Sequence, residues 1–114
     1  MEIKEEKRGE VKVIGLRGRL DTETCPGVRK RLKDLIDQGE FRFVLDFSEL
    51  TYISSAGLRV VVELAKALQR TGGKLGLSAL NDHVLEVFKI SGLVGLFSIH
   101  FSCDEALTYA QSDN

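Results

Sequence analysis

Ser54 and Ser55 lie between an apolar run, Phe41 to Leu45, and a stretch, Leu58 to Leu68, whose apolar residues recur at helical spacing. A serine at such a junction can serve as nucleophile, phosphate acceptor or helix cap. A nucleophile needs a G-x-S-x-G elbow and a base within hydrogen-bond reach. Here the frame is Ile53-Ser54-Ser55-Ala56-Gly57, without the first glycine, and neither His83 nor His100 follows a strand as a base partner would. A P-loop, a GxGxxG turn and an HExxH helix are also missing. The chain therefore reads as a non-enzyme, with His83 on a helix surface and His100 in a strand. Cys25 and Cys103 are far apart and lack CxxC or Cys/His ligand spacing, so no metal and no cofactor is expected.

Two readings of the serine pair stay open. In one, Ser54 or Ser55 is only an N-cap, accepting a hydrogen bond from a first-turn N–H. In the other, a hydroxyl accepts a regulatory phosphate. A phosphate on Ser55 would sit at the amino end of a helix, where unpaired N–H groups and the macrodipole favour negative charge. The modification would cost the fold little, and its effect would fall on a docked partner.

The elements that must hold these serines follow from patterning. Glu2 to Glu6 suits an edge strand, and Arg8-Gly9 a turn. A second strand starts at Val11 and ends at Gly18-Arg19-Leu20-Asp21. A first helix begins near Thr22 to Pro26, capped by Thr22 or Thr24, buries Val28, Leu32, Leu35 and Ile36, and stops at Gly39. Phe41 to Phe47 reads as a strand covered on both faces. The second helix runs from about Ser55 to Arg70 and is too broadly apolar for a surface helix; Arg59, Glu63, Lys66 and Arg70 form its one charged stripe. Lys74 to Leu77 gives a fourth strand, and Asn81 to Ser91 a third helix. Phe97, Ile99 and Phe101 alternate as a fifth strand, before a capping box at Ser102 to Glu105 opens a last helix. The expected fold is α/β, a mixed and mostly parallel five-stranded sheet with about four helices, as one domain over residues 1–114. In such sheets functional groups gather beyond the carboxyl ends of the strands. Asp21, Asp46, the two serines and Ser78 are placed there.

With 114 residues, 43% hydrophobic and 29% charged, and a net charge of −1, the chain has enough apolar material for a core. That balance carries no electrostatic footprint for nucleic acid or anionic lipid. No run approaches a membrane span, and the charged N-terminus is no signal peptide, so a cytoplasmic protein is expected. Nothing in the pattern demands a dimer, and a monomer is expected.

Three segments carry a family resemblance: Gly18-Arg19-Leu20-Asp21; Leu45-Asp46-Phe47-Ser48 followed by Tyr52-Ile53-Ser54-Ser55-Ala56-Gly57-Leu58; and Leu85-Glu86-Val87-Phe88-Lys89-Ile90-Ser91-Gly92-Leu93. In this order and spacing they resemble the anti-sigma factor antagonists, small STAS-domain proteins of bacteria. The resemblance implies a binding module that, unphosphorylated, holds an anti-sigma factor which is itself a serine kinase. Phosphorylation by that kinase releases it, and a PP2C-type phosphatase restores the complex. Counted back from Gly57, the acceptor falls on Ser55, with Ser54 as second choice. Ser54 stands where the family has an acidic residue. Asp21, Asp46, Ser54, Ala56, Gly57 and Arg59 are the implied partner-binding residues, although loop hydrogen bonding and capping account equally for the two aspartates. The alternative is a non-switching STAS scaffold within a larger signalling or lipid-transport assembly.

Overall fold

The structure, a computed structural model, describes residues 1–113. Strand β1 (Glu2–Arg8) turns at Gly9 and pairs antiparallel with β2 (Val11–Leu20). Helix α1 (Cys25–Asp37) leads to β3 (Arg42–Asp46) and then to β4 (Leu50–Ile53). Helix α2 (Ser55–Thr71), β5 (Lys74–Ser78), α3 (Asp82–Ile90), a 3-10 turn at Val94–Leu96, β6 (Ser98–His100) and α4 (Cys103–Gln111) complete the chain. The sheet order is β1-β2-β3-β5-β6, parallel from β2 onward, with β4 paired to β2 outside that path.

The sheet thus has six strands where five were expected. Patterning alone makes Phe41 to Phe47 one strand with the serines after it, whereas β3 stops at Asp46 and a turn intervenes before β4. At four residues β4 is too short to print an alternation of its own. It exists because β2 is ten residues long and serves two partners in succession. Lys12 to Gly15 pair with β3, and Gly18 to Leu20 pair with β4. The change of partner falls at Gly18, whose φ of 110° is open to glycine, and the register shifts there.

Alternation along the strands divides the core. Ile14, Leu16, Phe43, Leu45, Leu75 and Leu77 face α1, α2 and α3, while Val11, Val13 and Val44 face α4. Phe43, Val44 and Leu45 are all at most 1% exposed, as a central parallel strand requires. Helix α2 buries Leu58, Val60, Val61, Leu64 and Leu68, and Gly72, left-handed at φ 74°, ends it. Phe47 and Phe88 sit 6.4 Å apart at the base of this core, each buried ring contributing about 1.5–3 kcal/mol. Two expectations change. Phe101 is 93% exposed and lies beyond β6 rather than within it. Neither threonine hydroxyl caps α1; the Asp21 carboxylate accepts from the Glu23 and Thr24 N–H groups instead.

A close backbone joint lies where α2 meets β2. A Cβ on Gly57 would stand 2.5 Å from the Leu20 carbonyl oxygen and 2.9 Å from the Leu20 side chain. Gly57→Ala should therefore lower stability by about 1–3 kcal/mol through overpacking. Urea unfolding checks this, with a lower midpoint and an unchanged slope expected.

Candidate functional site

Of the two serines, Ser54 caps the helix. Ser54 has extended backbone (φ −92°, ψ 174°) and its Oγ accepts from the Gly57 N–H at 3.1 Å, which makes it the N-cap. Its carbonyl accepts from the Leu58 N–H at 2.9 Å, and its own N–H donates to the Leu20 carbonyl at 2.9 Å. Ser55 is the first helical residue and is exposed. Its hydroxyl is not needed to hold the turn, because the residue before it does that work.

β2 brings Asp21 to the same end of the molecule. Asp21 Oδ1 accepts from the Glu23 N–H at 3.0 Å and the Thr24 N–H at 3.1 Å, while the Thr24 hydroxyl donates to the Arg19 carbonyl at 2.8 Å. The Thr24 N–H, then that of Glu23 and the Thr24 hydroxyl, with Arg19 nearby, hold the carboxyl below the usual aspartate range. Asp21 thus shapes the loop that adjoins the serine turn.

Asp46 is not brought to that place. Its Oδ1 accepts from the Ser48 N–H at 3.0 Å, and it borders a separate groove with Lys4, Glu6, Gly15, Arg17 and Glu49. The insertion of β4 carries the serines away from the end of β3 and up to the end of β2. Gly57 is buried against Leu20 and seats the helix, so it offers a partner no surface, contrary to expectation. Ala56 is half-buried and packs against the core. Arg59 is exposed one helical turn beyond Ser55, on the same face. Ser78, expected at the functional end, is fully buried.

The structure adds a cluster that sequence reasoning missed. Arg19 lies 4.1 Å over the Tyr52 ring, and Tyr52 stacks on His83 at 5.5 Å and 16°. Their chain positions, on β2, β4 and α3, carry no shared signal until β4 pairs with β2 at Arg19 and Tyr52. Asn81 holds α3 against β4 by donating to the Leu50 carbonyl at 3.0 Å while its Oδ1 caps the Val84 N–H. Burial pushes both thiols up, Cys25 and Cys103 alike, which disfavours a nucleophilic thiolate. Among the described residues no cluster of three metal-ligating side chains occurs.

A depressed carboxyl stabilises the fold above its unfolded pKa, and that contribution is lost as pH falls through the lower folded value. Asp21 should therefore titrate below the usual aspartate range in a carboxyl NMR titration. Asp21→Asn, which keeps an acceptor oxygen, should lose less stability than the parent between neutral pH and pH 3, as read from urea midpoints.

Comparison with known proteins agrees with this geometry. The STAS domain model matches residues 2–106. BtrV of Bordetella bronchiseptica is 43% identical over 91 residues, covering 80% of this chain and 78% of that protein. The anti-sigma-B factor antagonist of Bacillus subtilis is 31% identical over 87 residues, covering 75% and 78%. The anti-sigma factor antagonist SpoIIAA in its unphosphorylated form superposes with a TM-score of 0.82 at 26% identity, covering 95% of each chain. Its phosphorylated form, from Bacillus, gives 0.77 at 25%, covering 96% of this chain and all of the other. With a mixed sheet, an exposed serine at the head of α2 and a match over nearly its whole length, the chain belongs to the STAS domain family, among relatives named as anti-sigma factor antagonists.

Proposed function

We propose that this protein, a single STAS domain over residues 1–114, is an anti-sigma factor antagonist switched by phosphorylation of Ser55. It is a regulatory binding protein, not an enzyme. Unphosphorylated, it holds an anti-sigma factor that is a serine kinase, and so frees a sigma factor. That kinase modifies Ser55, and a PP2C-type phosphatase resets it. The names of the relatives support the antagonist role, and a phosphorylated form of SpoIIAA supports the modification. No described helix is long and apolar enough to cross a membrane, and we place the exchange in the cytoplasm.

The observation that carries the reading is the division of labour between the serines. Because Ser54 supplies the cap, the Ser55 hydroxyl is exposed and can change state without dismantling the helix terminus. The phosphate adds about −1.5 to −2 charges at a helix amino end that tolerates them. Against one partner carboxylate at about 4 Å and an effective dielectric near 20, each unit charge pair repels by about 4 kcal/mol at the upper end. A third of that weakens binding about tenfold. Arg19, Tyr52 and His83 give the partner a stacked surface close by, of the aromatic and arginine kind that anchors interfaces.

Incubation with the serine-kinase anti-sigma factor of the same genome and ATP, followed by mass-spectrometric mapping, should place one phosphate on Ser55; a label on Ser54 or elsewhere overturns the assignment. Ser55→Ala should bind the kinase and never release it. Ser55→Asp should bind at least about tenfold more weakly by calorimetry.

A further inference from the structure

Helices α1 and α2 lie side by side, tied by Arg29 donating to Glu63 at 2.8 Å. Between them is an open groove of about 360 Å³. Leu32 and Ile36 of α1 line it opposite Val60, Leu64 and Ala67 of α2. Charge is concentrated here: the two helices carry seven cationic and three acidic side chains in a protein of net charge −1. On α1 these cations are engaged, Arg29 with Glu63, Lys30 with Asp34, Arg31 with Glu5 and Lys33 with Asp37. On α2 they are not. Arg59, Lys66 and Arg70 are exposed and make no ion pair among the described residues.

Helical geometry puts these three in one row. Ser55, Arg59, Glu63, Lys66 and Arg70 follow at intervals of four, four, three and four, so they share a face. Glu63 and Arg70 also line the groove, which sets the row along its edge. From Ser55 to Arg70 the row is about 22 Å long, room for about four turns of an opposing helix. An apolar groove edged by unpaired cations is complementary to an amphipathic helix that carries carboxylates beside its apolar stripe.

We propose that the α1–α2 face is the main docking surface of this protein and that its partner contributes such an acidic amphipathic helix. The apolar side chains of that helix fill the groove, and its carboxylates meet Arg59, Lys66 and Arg70. This rests on the switch reading above and deepens it. A phosphate on Ser55 stands at the head of the same row, one turn from Arg59, where it competes for that cation and repels the partner carboxylates nearest that end. One modification at the tip then weakens one end of the interface.

The test uses the full chain with Ser55→Ala, so that the kinase cannot modify it, and the serine-kinase anti-sigma factor of the same genome as probe. Calorimetry compares this parent with the same protein carrying Lys66→Glu and Arg70→Glu, at two salt concentrations. The expected result is binding at least tenfold weaker in the charge-reversed protein, with a flatter salt dependence. Lys66→Gln with Arg70→Gln should fall between, and urea midpoints within experimental error of the parent show that the fold is kept. Equal affinity in parent and reversed protein overturns the docking surface and leaves the switch intact. A parent that binds no kinase at all overturns the switch reading itself. Sedimentation that shows a dimer of the parent, lost on charge reversal, assigns the face to a second copy of this chain and likewise overturns the proposal.

Discussion

The carbonyl of Leu20 is the point on which the functional end depends. It accepts the Ser54 N–H at 2.9 Å, and the backbone of Gly57 approaches it more closely than any residue with a Cβ would allow. The first turn of α2 is thereby clamped on the last residue of β2. That contact sets the depth at which the helix enters the core, and so how far Ser55 projects from it. A side chain at position 57 would force the helix outward, moving the serine and loosening Leu58, Val60 and Val61 together. Close packing couples the exposed hydroxyl to the buried layer.

The same end leaves backbone N–H groups of the helix only partly satisfied. Four first-turn N–H groups of a helix lack intrahelical partners, and only some are satisfied by the cap. Ser54 takes the Gly57 N–H, which leaves the terminus capped and still electropositive. Ser55 stands on that electropositive end, where a helix tolerates negative charge best. Asp21 and Thr24 tie the neighbouring loop together through mutual hydrogen bonds, so that surface is preformed. Such preorganisation reduces the ordering cost of association.

Charge placement differs between the two faces of the molecule. α4 packs its small residues Ala106 and Ala110 against β2 and β3, and Arg42 fastens its end by donating to the Ala110 carbonyl at 2.7 Å and the Ser112 carbonyl at 2.9 Å. That face is held internally. On the opposite face α2 keeps Arg59, Lys66 and Arg70 out of ion pairs within the described residues. Exposed ion pairs add little to stability, so cations left unpaired cost the fold little.

Much of this was legible in residue order. Spacing of three and four marked α1 and α2, consecutive apolar residues marked β3 as covered on both faces, and the glycines at 39, 72 and 92 marked where helices end. The charged stripe of α2 was visible as a period. Local sequence determines these because each depends on neighbours within one or two turns of chain. Tertiary structure alone decided the rest. Whether Ser54 or Ser55 caps the helix depends on where the Leu20 carbonyl stands, since the Ser54 N–H must reach it. β4 forms only because β2 extends past β3 and offers unpaired backbone groups, a demand that four residues cannot announce by themselves. That added strand removes Asp46 from the serines, brings Arg19, Tyr52 and His83 into one stack, and buries Gly57. Each of these is a contact between segments distant in the chain, and distance along the chain is what local patterning cannot read.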